Sequence, residues 1–485
     1  MQITIDILGD ISLTYTSFDE NQSERIAEKI NQALGKVDYR IADLEAPVVL
    51  NKIAMPIEKC GPNLRMPERS RTFLKRLQVD GFALANNHIG DYGEEGIIDT
   101  IEVLEGLNKD YVGSAREYEK IYQPLRKVIK GIKVSFFSIC ENEFGISHDG
   151  KIGAAGYNKE KVKKILYEEN QWCDFSIIIF HGGTELYPYP TLDQKTRYHD
   201  LIDIGASAVI GMHSHCPQGY EIYHNMPIIY SVGNFFFPKD CETPFEMWKI
   251  GYSTKLKLKK GHFPQVHIVP FMFDIYGRDF FLIDKSKFLV YLDGISDVIQ
   301  DTKRLKDLYS GWAVINGKSY YNRLCDKIIT QGKESYCLAK NLFSCETHNE
   351  LLRTYLNILY ENNEQKYLVY VNEIKKYMKM IPEKDNGTCN EFENLAVDTV
   401  IWGIGKKAET LFYELIVQGK RIIFVDRDIL KQGFKYLNRE IISPKEAIDK
   451  FKEATFYICT SRKAQKEIVP ALRENGILDN HIVCK

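Results

Sequence analysis

The most constraining feature of this sequence is a series of short apolar runs that each end in a side chain able to bind a metal or move a proton. The clearest run, Phe82–Ala85, stops at Asn86-Asn87-His88, and Asp91 follows. Such runs, separated by segments with helical spacing, predict an α/β fold with buried sheet strands. Open α/β sheets place their chemistry where strands end, so these polar groups are candidate site residues. Taken alone, the Asn-Asn pair also fits a simple turn.

The same pattern recurs through the first half of the chain. Apolar runs end at carboxylates, amides and imidazoles, namely Asp10, Glu45, Asn87 with His88, His181, and His213 with His215. These oxygen and nitrogen donors suit divalent transition metals such as Mn, Fe or Zn. Alternate side chains of an extended segment lie on the same side, so His213 and His215 can reach the same metal centre. Each residue alone has an ordinary explanation as a turn, cap or loop residue, but together they predict a site for one or two metal ions.

A site of this composition predicts a reaction class. A carboxylate that bridges two metal ions is the usual device for activating water against a phosphate ester. A nearby imidazole can protonate the leaving oxygen. The sequence therefore predicts a metal-dependent hydrolase acting on a phosphoester.

Composition excludes several other classes. The chain has 485 residues, enough for two or three domains, and its formal net charge of −2 predicts no nucleic-acid partner. Its 11 cysteines occur singly, without the Cys-x-x-Cys pairs of structural zinc sites. No run approaches the roughly 20 apolar residues of a membrane span, and the first residues read as a strand rather than a signal peptide. We expect a cytoplasmic protein, and the oligomeric state stays open.

The second half of the chain changes character. Residues from about 298 to 380 have mainly helical patterns without a clear catalytic cluster, and Lys384-Asp385-Asn386-Gly387 is typical of a linker. A final α/β unit follows. The predicted domains are therefore 1–285, a helical connecting segment over 286–395, and 396–485.

The final unit contains a glycine-rich turn. Gly403 and Gly405 lie between a predicted strand and helix, and Asp426 follows about 20 residues later, as in a Rossmann-like dinucleotide-binding unit. This spacing predicts a nucleotide site at Gly403, Gly405 and Asp426. A docking or dimerising unit without a ligand is an equal alternative.

Residues from about 3 to 272 resemble the CapA family of bacterial capsule (poly-γ-glutamate) synthesis proteins, which is related to the calcineurin-like metallophosphoesterases. The resemblance rests on motifs in the family's order. They are Gly9-Asp10, Asp43-Leu44-Glu45-Ala46-Pro47, Ala85-Asn86-Asn87-His88-Ile89-Gly90-Asp91, His181-Gly182-Gly183-Thr184-Glu185, Gly211-Met212-His213-Ser214-His215 with Gln218, and Gly233-Asn234-Phe235.

The resemblance implies a fold and a ligand set. Residues 1–285 would form a four-layer αββα metallophosphoesterase-like sandwich with metals at the strand ends. Carried over by motif, Asp10 and His215 would face one metal, with Glu45 bridging to the second. The second metal would be held by Asn87, His181 and His213.

The resemblance also implies roles around the metals. His88 would be the general acid or a hydrogen-bond donor to the transition state, and Asp91 would orient it by accepting a hydrogen bond from its other ring nitrogen. The remaining motif residues would support the ligands or contact substrate, and they are Asn86, Glu185, Gln218 and Asn234.

Three positions depart from the family pattern. Ser12 stands where wider metallophosphoesterases carry histidine, Gly182 where an aromatic residue is usual, and Asp43 where asparagine is common. We expect a phosphoesterase-like hydrolase in capsule or cell-surface polymer biosynthesis, acting on a phosphoester or polymer-related substrate. The alternative is a non-catalytic metal-binding scaffold or ligand-binding protein in capsule polymer assembly.

Overall fold

The computed structural model describes residues 1–51, 53–330, 333–379 and 397–485, so the predicted linker at 384–387 lies outside it. The chain forms two compact units. The larger comprises Met1–Pro238 and Met247–Pro382, and the smaller comprises Lys239–Glu246 and Glu383–Lys485. Both contain strands and helices, which confirms the predicted α/β class. The division at 285 and 395 stays a prediction.

The larger unit begins with alternating strands and helices and ends in helices. Its strands are Gln2–Ile11 (β1), Tyr39–Leu44 (β2), Gly81–Ala83 (β3), Asp110–Val112 (β4), Leu125–Ile129 (β5), Ile132–Cys140 (β6), Phe175–His181 (β7), Ala208–Met212 (β8), Tyr220–Tyr223 (β9), Met226–Ile229 (β10), Asn234–Phe236 (β11), Ile250–Lys259 (β12), Gln265–Phe273 (β13) and Phe280–Leu282 (β14). Its helices are Glu20–Leu34 (α1), Ser70–Arg76 (α2), Gly93–Gly106 (α3), Lys159–Glu169 (α4), Leu192–Asp203 (α5), Lys285–Gln300 (α6), Thr302–Thr330 (α7), Lys333–Ser344 (α8), Glu346–Tyr360 (α9) and Glu364–Lys379 (α10).

The strands of this unit form two mixed sheets within the described residues. The first has the order β14-β13-β12-β1-β2-β3-β4, with β11 beside β1, and the second has the order β5-β6-β7-β8-β10-β9. The segments β1-β2-β3-β4 and β6-β7-β8 are parallel, so their carboxyl ends lie side by side. This arrangement brings distant parts of the chain to one edge of each sheet. The four-layer stacking stays a prediction.

Helices cover the first sheet with apolar faces. Ile26 and Ile30 of α1, Phe73 of α2 and Ile101 of α3 are buried in one cluster with Leu8 of β1. Helical spacing places these side chains on one face of each helix, while β1 and β2 are buried along nearly their whole length. The core therefore fixes the strands whose ends carry the polar residues.

The helical spacing of residues 23–34 predicts a first helix capped by Ser23, and the structure shows that this cap is wrong. The helix starts at Glu20, and Asp19 is its cap: an Asp19 side-chain oxygen accepts from the Gln22 amide at 2.7 Å, and the Gln22 side chain accepts from the Asp19 amide at 3.0 Å. This reciprocal capping box satisfies amides that would otherwise lack partners, which a single Ser cap does less well.

Gly9 allows β1 and β11 to approach. A Cβ atom built on Gly9 would lie 1.8 Å from the carbonyl oxygen of Gly233. Because this oxygen belongs to the backbone, it cannot rotate away. We expect Gly9→Ala to lower the free energy of unfolding by at least ~3 kcal/mol, measured by urea denaturation. Gly106→Ala is the control, since its Cβ would meet only the flexible end of Arg71, and a similar loss there would contradict this explanation.

The helices from α6 to α10 belong to the larger unit. Buried side chains such as Leu292, Leu308, Tyr355 and Ile374 line their shared faces. None of the helices in the described ranges is long and apolar enough to cross a bilayer. The described residues between 298 and 379 are mainly helical, as predicted.

Glu350 of α9 makes the helical segment sensitive to pH. The Thr191 hydroxyl donates to its carboxylate at 2.9 Å, and burial, with a further effect of Asp193, raises the pKa of Glu350 to about 8. The folded state therefore holds a proton that the unfolded chain loses near pH ~4.3. The contribution of Glu350 to stability is therefore fully present below that pH and is lost as the pH rises through about 8.

We expect Glu350→Gln to reduce the loss of stability between pH 5 and pH 9 by about 1–2 kcal/mol, less than the full pKa shift implies because the side chain is partly exposed. Urea denaturation at several pH values measures this. The exposed Glu119 provides the matched control, Glu119→Gln, which should leave the pH dependence of stability unchanged. An unchanged pH dependence in Glu350→Gln would contradict the prediction.

The smaller unit contains a separate sheet. Its strands are Thr399–Trp402 (β15), Ile422–Val425 (β16), Lys435–Tyr436 (β17), Arg439–Ile442 (β18), Thr455–Ile458 (β19) and Ile482–Cys484 (β20), and its helices are Lys406–Val417 (α11), Pro444–Lys450 (α12) and Arg462–Glu474 (α13). The sheet order is β17-β18-β16-β15-β19-β20, and all pairs except β17 with β18 are parallel. The Rossmann-like assignment stays a prediction.

Candidate metal centre

The ends of both sheets of the larger unit meet at one buried cluster. Asp10 lies near the end of β1, Glu45 follows β2, Asn87 follows β3, and His181 ends β7. His213 and His215 follow β8, so they join the cluster from the second sheet together with His181. All six predicted ligands are buried: Asp10, Glu45, Asn87, His181, His213 and His215.

His181 lies at the centre of this cluster. Its Nδ1 is 3.0 Å from an Asp43 carboxylate oxygen, and its Nε2 is 3.0 Å from the Asn87 side-chain oxygen. The same Nε2 is 3.0 Å from Nδ1 of His213 and 3.5 Å from a Glu45 oxygen. Donor atoms from both sheets thus converge on one small volume.

His215 and Asp10 form the other side of the cluster. His215 Nδ1 is 3.6 Å from an Asp10 oxygen, and its Nε2 is 3.6 Å from Glu45 Oε1. The side-chain oxygen of Asn234 is 2.9 Å from His215 Nδ1, while its amide donates to the Trp248 carbonyl at 2.9 Å. Asn234 therefore holds the ring of a predicted ligand, and its role at a metal site stays a prediction.

Buried carboxylate oxygens in the cluster lack hydrogen-bond partners. They are Oδ1 of Asp10 and both Oε1 and Oε2 of Glu45, on side chains that are 0% exposed. Burying such atoms without a partner is costly. Asp10, Asp43 and His181 could hold one ion and Glu45, His213 and His215 another, since the ligand atoms in each group lie within 4.8 Å of one another. The donor set therefore fits divalent metal ions.

The pKa values of the cluster residues also favour a bound cation. Burial, with a further effect of Asp10, raises the pKa of Glu45 to about 7, and burial raises the pKa of Asp43 to about 6 despite the nearby His181. Burial by itself lowers the pKa of His215, but Glu45 and Asp10 outweigh it and raise the value to about 9. Carboxylates held together in a buried site in this way favour a bound cation.

The segment after β8 has a strained backbone. His213 has φ of +87° and His215 has φ of +53°, in the left-handed region that residues other than glycine seldom adopt. The sequence prediction treated this segment as extended, with alternate side chains on one side. The left-handed residues instead turn the chain sharply, and both rings still reach the cluster. Strain of this kind is common at functional sites.

His88 lies beside the cluster in an ion-pair network. Its Nδ1 lies 2.7 Å from an Asp91 carboxylate oxygen and 3.1 Å from Nζ of the buried Lys59, which also pairs with Asp91. Burial, followed by the charge of Lys59, lowers the pKa of His88 despite the hydrogen bond to Asp91. The Asp91 contact leaves Nε2 of His88 available to a ligand. Lys59 was not predicted, because it lies in a loop without a recognisable pattern.

The other predicted supporting residues differ in position. Asn86 donates to Asp43 at 2.9 Å and accepts from the Ile89 amide at 2.8 Å, so it holds the turn that presents Asn87. Gln218 donates to the carbonyls of Tyr187 and Tyr189 and supports a neighbouring loop. Glu185 is exposed. Its charge partly offsets the lowering of the His88 pKa and adds to the raised pKa of His215.

Glu141 and Glu143 were not predicted as site residues, although they follow β6. Together with His213 they form another group of close ligand atoms. Burial raises the pKa of Glu141 to about 7, and Thr347 of α9 donates to its carboxylate at 2.6 Å. The helical segment therefore borders the cluster. Its contribution could not be found from sequence because Thr347 is distant in the chain and carries no motif.

The predicted nucleotide residues lie in the smaller unit. Gly403 and Gly405 precede α11 with φ of +96° and +135°. Asp426 follows β16, where its carboxylate accepts from the Asp428 amide at 2.9 Å and from Lys431 at 3.2 Å. Lys431 thus already neutralises the carboxylate that a ribose would contact. Nucleotide binding stays a prediction.

Comparisons with known proteins confirm the resemblance stated from the motifs. Residues 4–239 match the family model described as bacterial capsule synthesis protein PGA_cap. The capsule biosynthesis protein CapA of Bacillus anthracis is 24% identical over 248 residues, covering 49% of this chain and 60% of that protein. A Mycobacterium tuberculosis protein named as a polyglutamine synthesis accessory protein is 27% identical over 243 residues, covering 43% of this chain and 63% of its own length. The chain thus spans about three fifths of these relatives.

Among solved structures, a 5′-nucleotidase precursor from Thermus thermophilus is similar with a TM-score of 0.34 and 13% identity. The match covers 62% of this chain and 60% of that one.

Proposed function

We propose that this chain, whose residues 4–239 carry the pattern of the bacterial capsule synthesis family, is a metal-dependent hydrolase of the phosphoesterase type. It would act in the cytoplasm on a phosphoester or polymer-related substrate during capsule or cell-surface polymer synthesis. The unpartnered, fully buried oxygens of Asp10 and Glu45 among three histidines are the observation that carries this proposal. The names of the relatives supply the biological setting.

The residues would divide between two ions of Mn, Fe or Zn. In the division that the family resemblance implies, Asp10 and His215 would hold one, Asn87, His181 and His213 the other, and Glu45 both. This division differs from the two groups of close ligand atoms described above. When bound, such ions supply Lewis acidity toward a phosphoryl group and lower the pKa of water. Asp43 would orient His181 through the contact at Nδ1, as carboxylates commonly do for histidine ligands.

His88 would donate a proton to the leaving oxygen. Asp91 holds its Nδ1 proton and fixes the ring, and Lys59 fixes Asp91. The lowered pKa of His88 makes its protonated form a stronger acid, which favours proton transfer in the transition state. Lys59 is therefore a positioning residue, and His88 is the proposed catalytic acid.

Ser12 favours a second candidate function. It occupies the position of a histidine in wider metallophosphoesterases, and its buried hydroxyl lies 2.9 Å from the Thr14 hydroxyl. A metal-binding scaffold or ligand-binding protein in polymer assembly would bind the metal ions but would not hydrolyse a substrate. The smaller unit, with Gly403, Gly405 and Asp426, would then bind a nucleotide or dock a partner.

Metal analysis of the purified full chain, together with a panel of phosphomonoesters and phosphodiesters, separates these functions. We expect one or two Mn, Fe or Zn ions per chain and hydrolysis of a generic phosphodiester. Full metal occupancy without turnover on the panel would overturn the hydrolase and favour the scaffold. A chain that binds no metal would overturn both versions.

A further inference from the structure

The first turn of α9 lies along the loop that follows β6. Thr347 donates to Glu141 at 2.6 Å, and the Asn142 side chain donates to Glu346 at 2.6 Å. The Glu346 amide also donates to the Asn142 carbonyl at 3.3 Å. Successive loop residues therefore face successive residues of the helix start.

The next loop residue in this register, Glu143, faces a pair of strong metal ligands. Glu143, Cys345 and His348 each offer an atom, and these atoms lie within 4.8 Å of one another. Cys345 is 2% exposed and His348 is partly buried. Of the candidate ligand groups in the described ranges, this group is the one that contains a thiol.

Hydrogen bonds prepare His348 to bind a metal through one nitrogen. Its Nδ1 is 2.9 Å from the Asn341 side-chain oxygen, an acceptor, so Nδ1 carries the proton. Nε2 then accepts a hydrogen bond from the Tyr320 hydroxyl at 3.3 Å, a contact that an ion bound at Nε2 would replace. Ligating histidines typically donate their second ring proton to an oxygen in this way.

We propose that Glu143, Cys345 and His348 form a further site for a divalent ion of the zinc class. Thiolate, imidazole and carboxylate with one open position are a donor set that zinc accepts in tetrahedral sites. Cys345 immediately precedes α9, and burial together with the charges of Glu143 and Glu141 raises the pKa of its thiol, so the bound ion itself would have to stabilise the thiolate. The cluster of Asp10, Glu45 and the three strand-end histidines contains no sulfur ligand, so the two sites differ chemically.

Such an ion ties the helical segment to the edge of the α/β part. Cys345 and His348 belong to α9 or its cap, whereas Glu143 follows β6 of the second sheet. Glu143 also lies near Glu141 and His213, so the ion would be close to the proposed catalytic centre. Loss of this ion would weaken that border, which the hydrogen bonds of Glu141 and Asn142 also hold.

Cobalt binding to the purified full chain tests this proposal without relying on activity. Co²⁺ bound to a thiolate has a charge-transfer absorption in the near ultraviolet that oxygen and nitrogen ligands do not produce. We expect this band in the wild type and its loss, with one bound cobalt fewer per chain, in Cys345→Ser. Cys337→Ser in α8 is the matched control and should keep the band.

Further variants keep the test decisive. His348→Ala and Glu143→Gln should weaken cobalt binding at the same band, and they replace Cys345→Ser if that variant fails to fold. His181→Ala, which alters the strand-end centre, should leave the band intact. A cobalt-saturated wild type without the band, or a band that survives Cys345→Ser, would overturn the proposal. A chain that shows the band but hydrolyses no phosphoester would overturn only the proposed function.

Discussion

His88→Ala is expected to reduce kcat ~10²–10⁴-fold on the phosphodiester that the wild type hydrolyses, with the bound metal unchanged. The expected loss is that of a general acid, because the ring is fixed by Asp91 at 2.7 Å and lies beside the ligands rather than among them. Steady-state kinetics and metal analysis on the same sample measure both quantities.

Controls separate this loss from general damage. His224→Ala removes an exposed histidine far from any predicted motif and should change neither rate nor metal content. Lys59→Met should lower kcat by a smaller factor and raise the pKa of His88, since a nearby positive charge is removed. A His88→Ala variant with wild-type kcat would exclude His88 as the acid. If His88→Ala lost both its bound metal and its activity, His88 would instead be a metal ligand.

The sequence predicted the strand ends because their chemistry is local. Asp10, Glu45, Asn87 and His181 each follow an apolar run, and parallel pairing brings such ends together. Residues that hold the ligands were less visible. Asp43 was noted only as a departure from the family pattern, yet its oxygen is 3.0 Å from His181.

Contacts between distant segments account for what sequence reasoning missed. Lys59 and Thr347 reach the site from a loop and from a helix start, and neither belongs to a periodic pattern or motif. The helical segment looked like a connection because its charged residues are spread along helices. Only the packing of α9 against the loop after β6 shows that Glu141 and Glu143 face it. Long-range packing of this kind cannot be derived from local propensity.

Glu45→Gln is expected to change stability with opposite sign in the presence and absence of metal. Without metal, the buried Glu45 carboxylate accepts no hydrogen bond, and its contacts with His181 and His215 are 3.5 Å and 3.6 Å long. Its raised pKa of about 7 means that its charge costs stability above that pH. At pH 8 the metal-free variant should therefore be more stable than the metal-free wild type by about 1–3 kcal/mol. Near pH 5, where Glu45 of the wild type is protonated, the metal-free wild type and the metal-free variant should have similar stability.

With Mn²⁺ or Zn²⁺ the order should reverse, because only the wild type keeps the proposed bridging ligand. An ion at 100 times its Kd stabilises the folded state by ~2.7 kcal/mol, and Glu45→Gln forfeits much of this. Thermal denaturation with metal and with a chelator measures both cases. The matched control is Glu221→Gln, whose buried carboxylate already pairs with His199 and Tyr230 and should destabilise the chain equally in both conditions. If Glu45→Gln behaved like this control, Glu45 would be part of a structural polar network, and the metal centre would lose its bridging ligand.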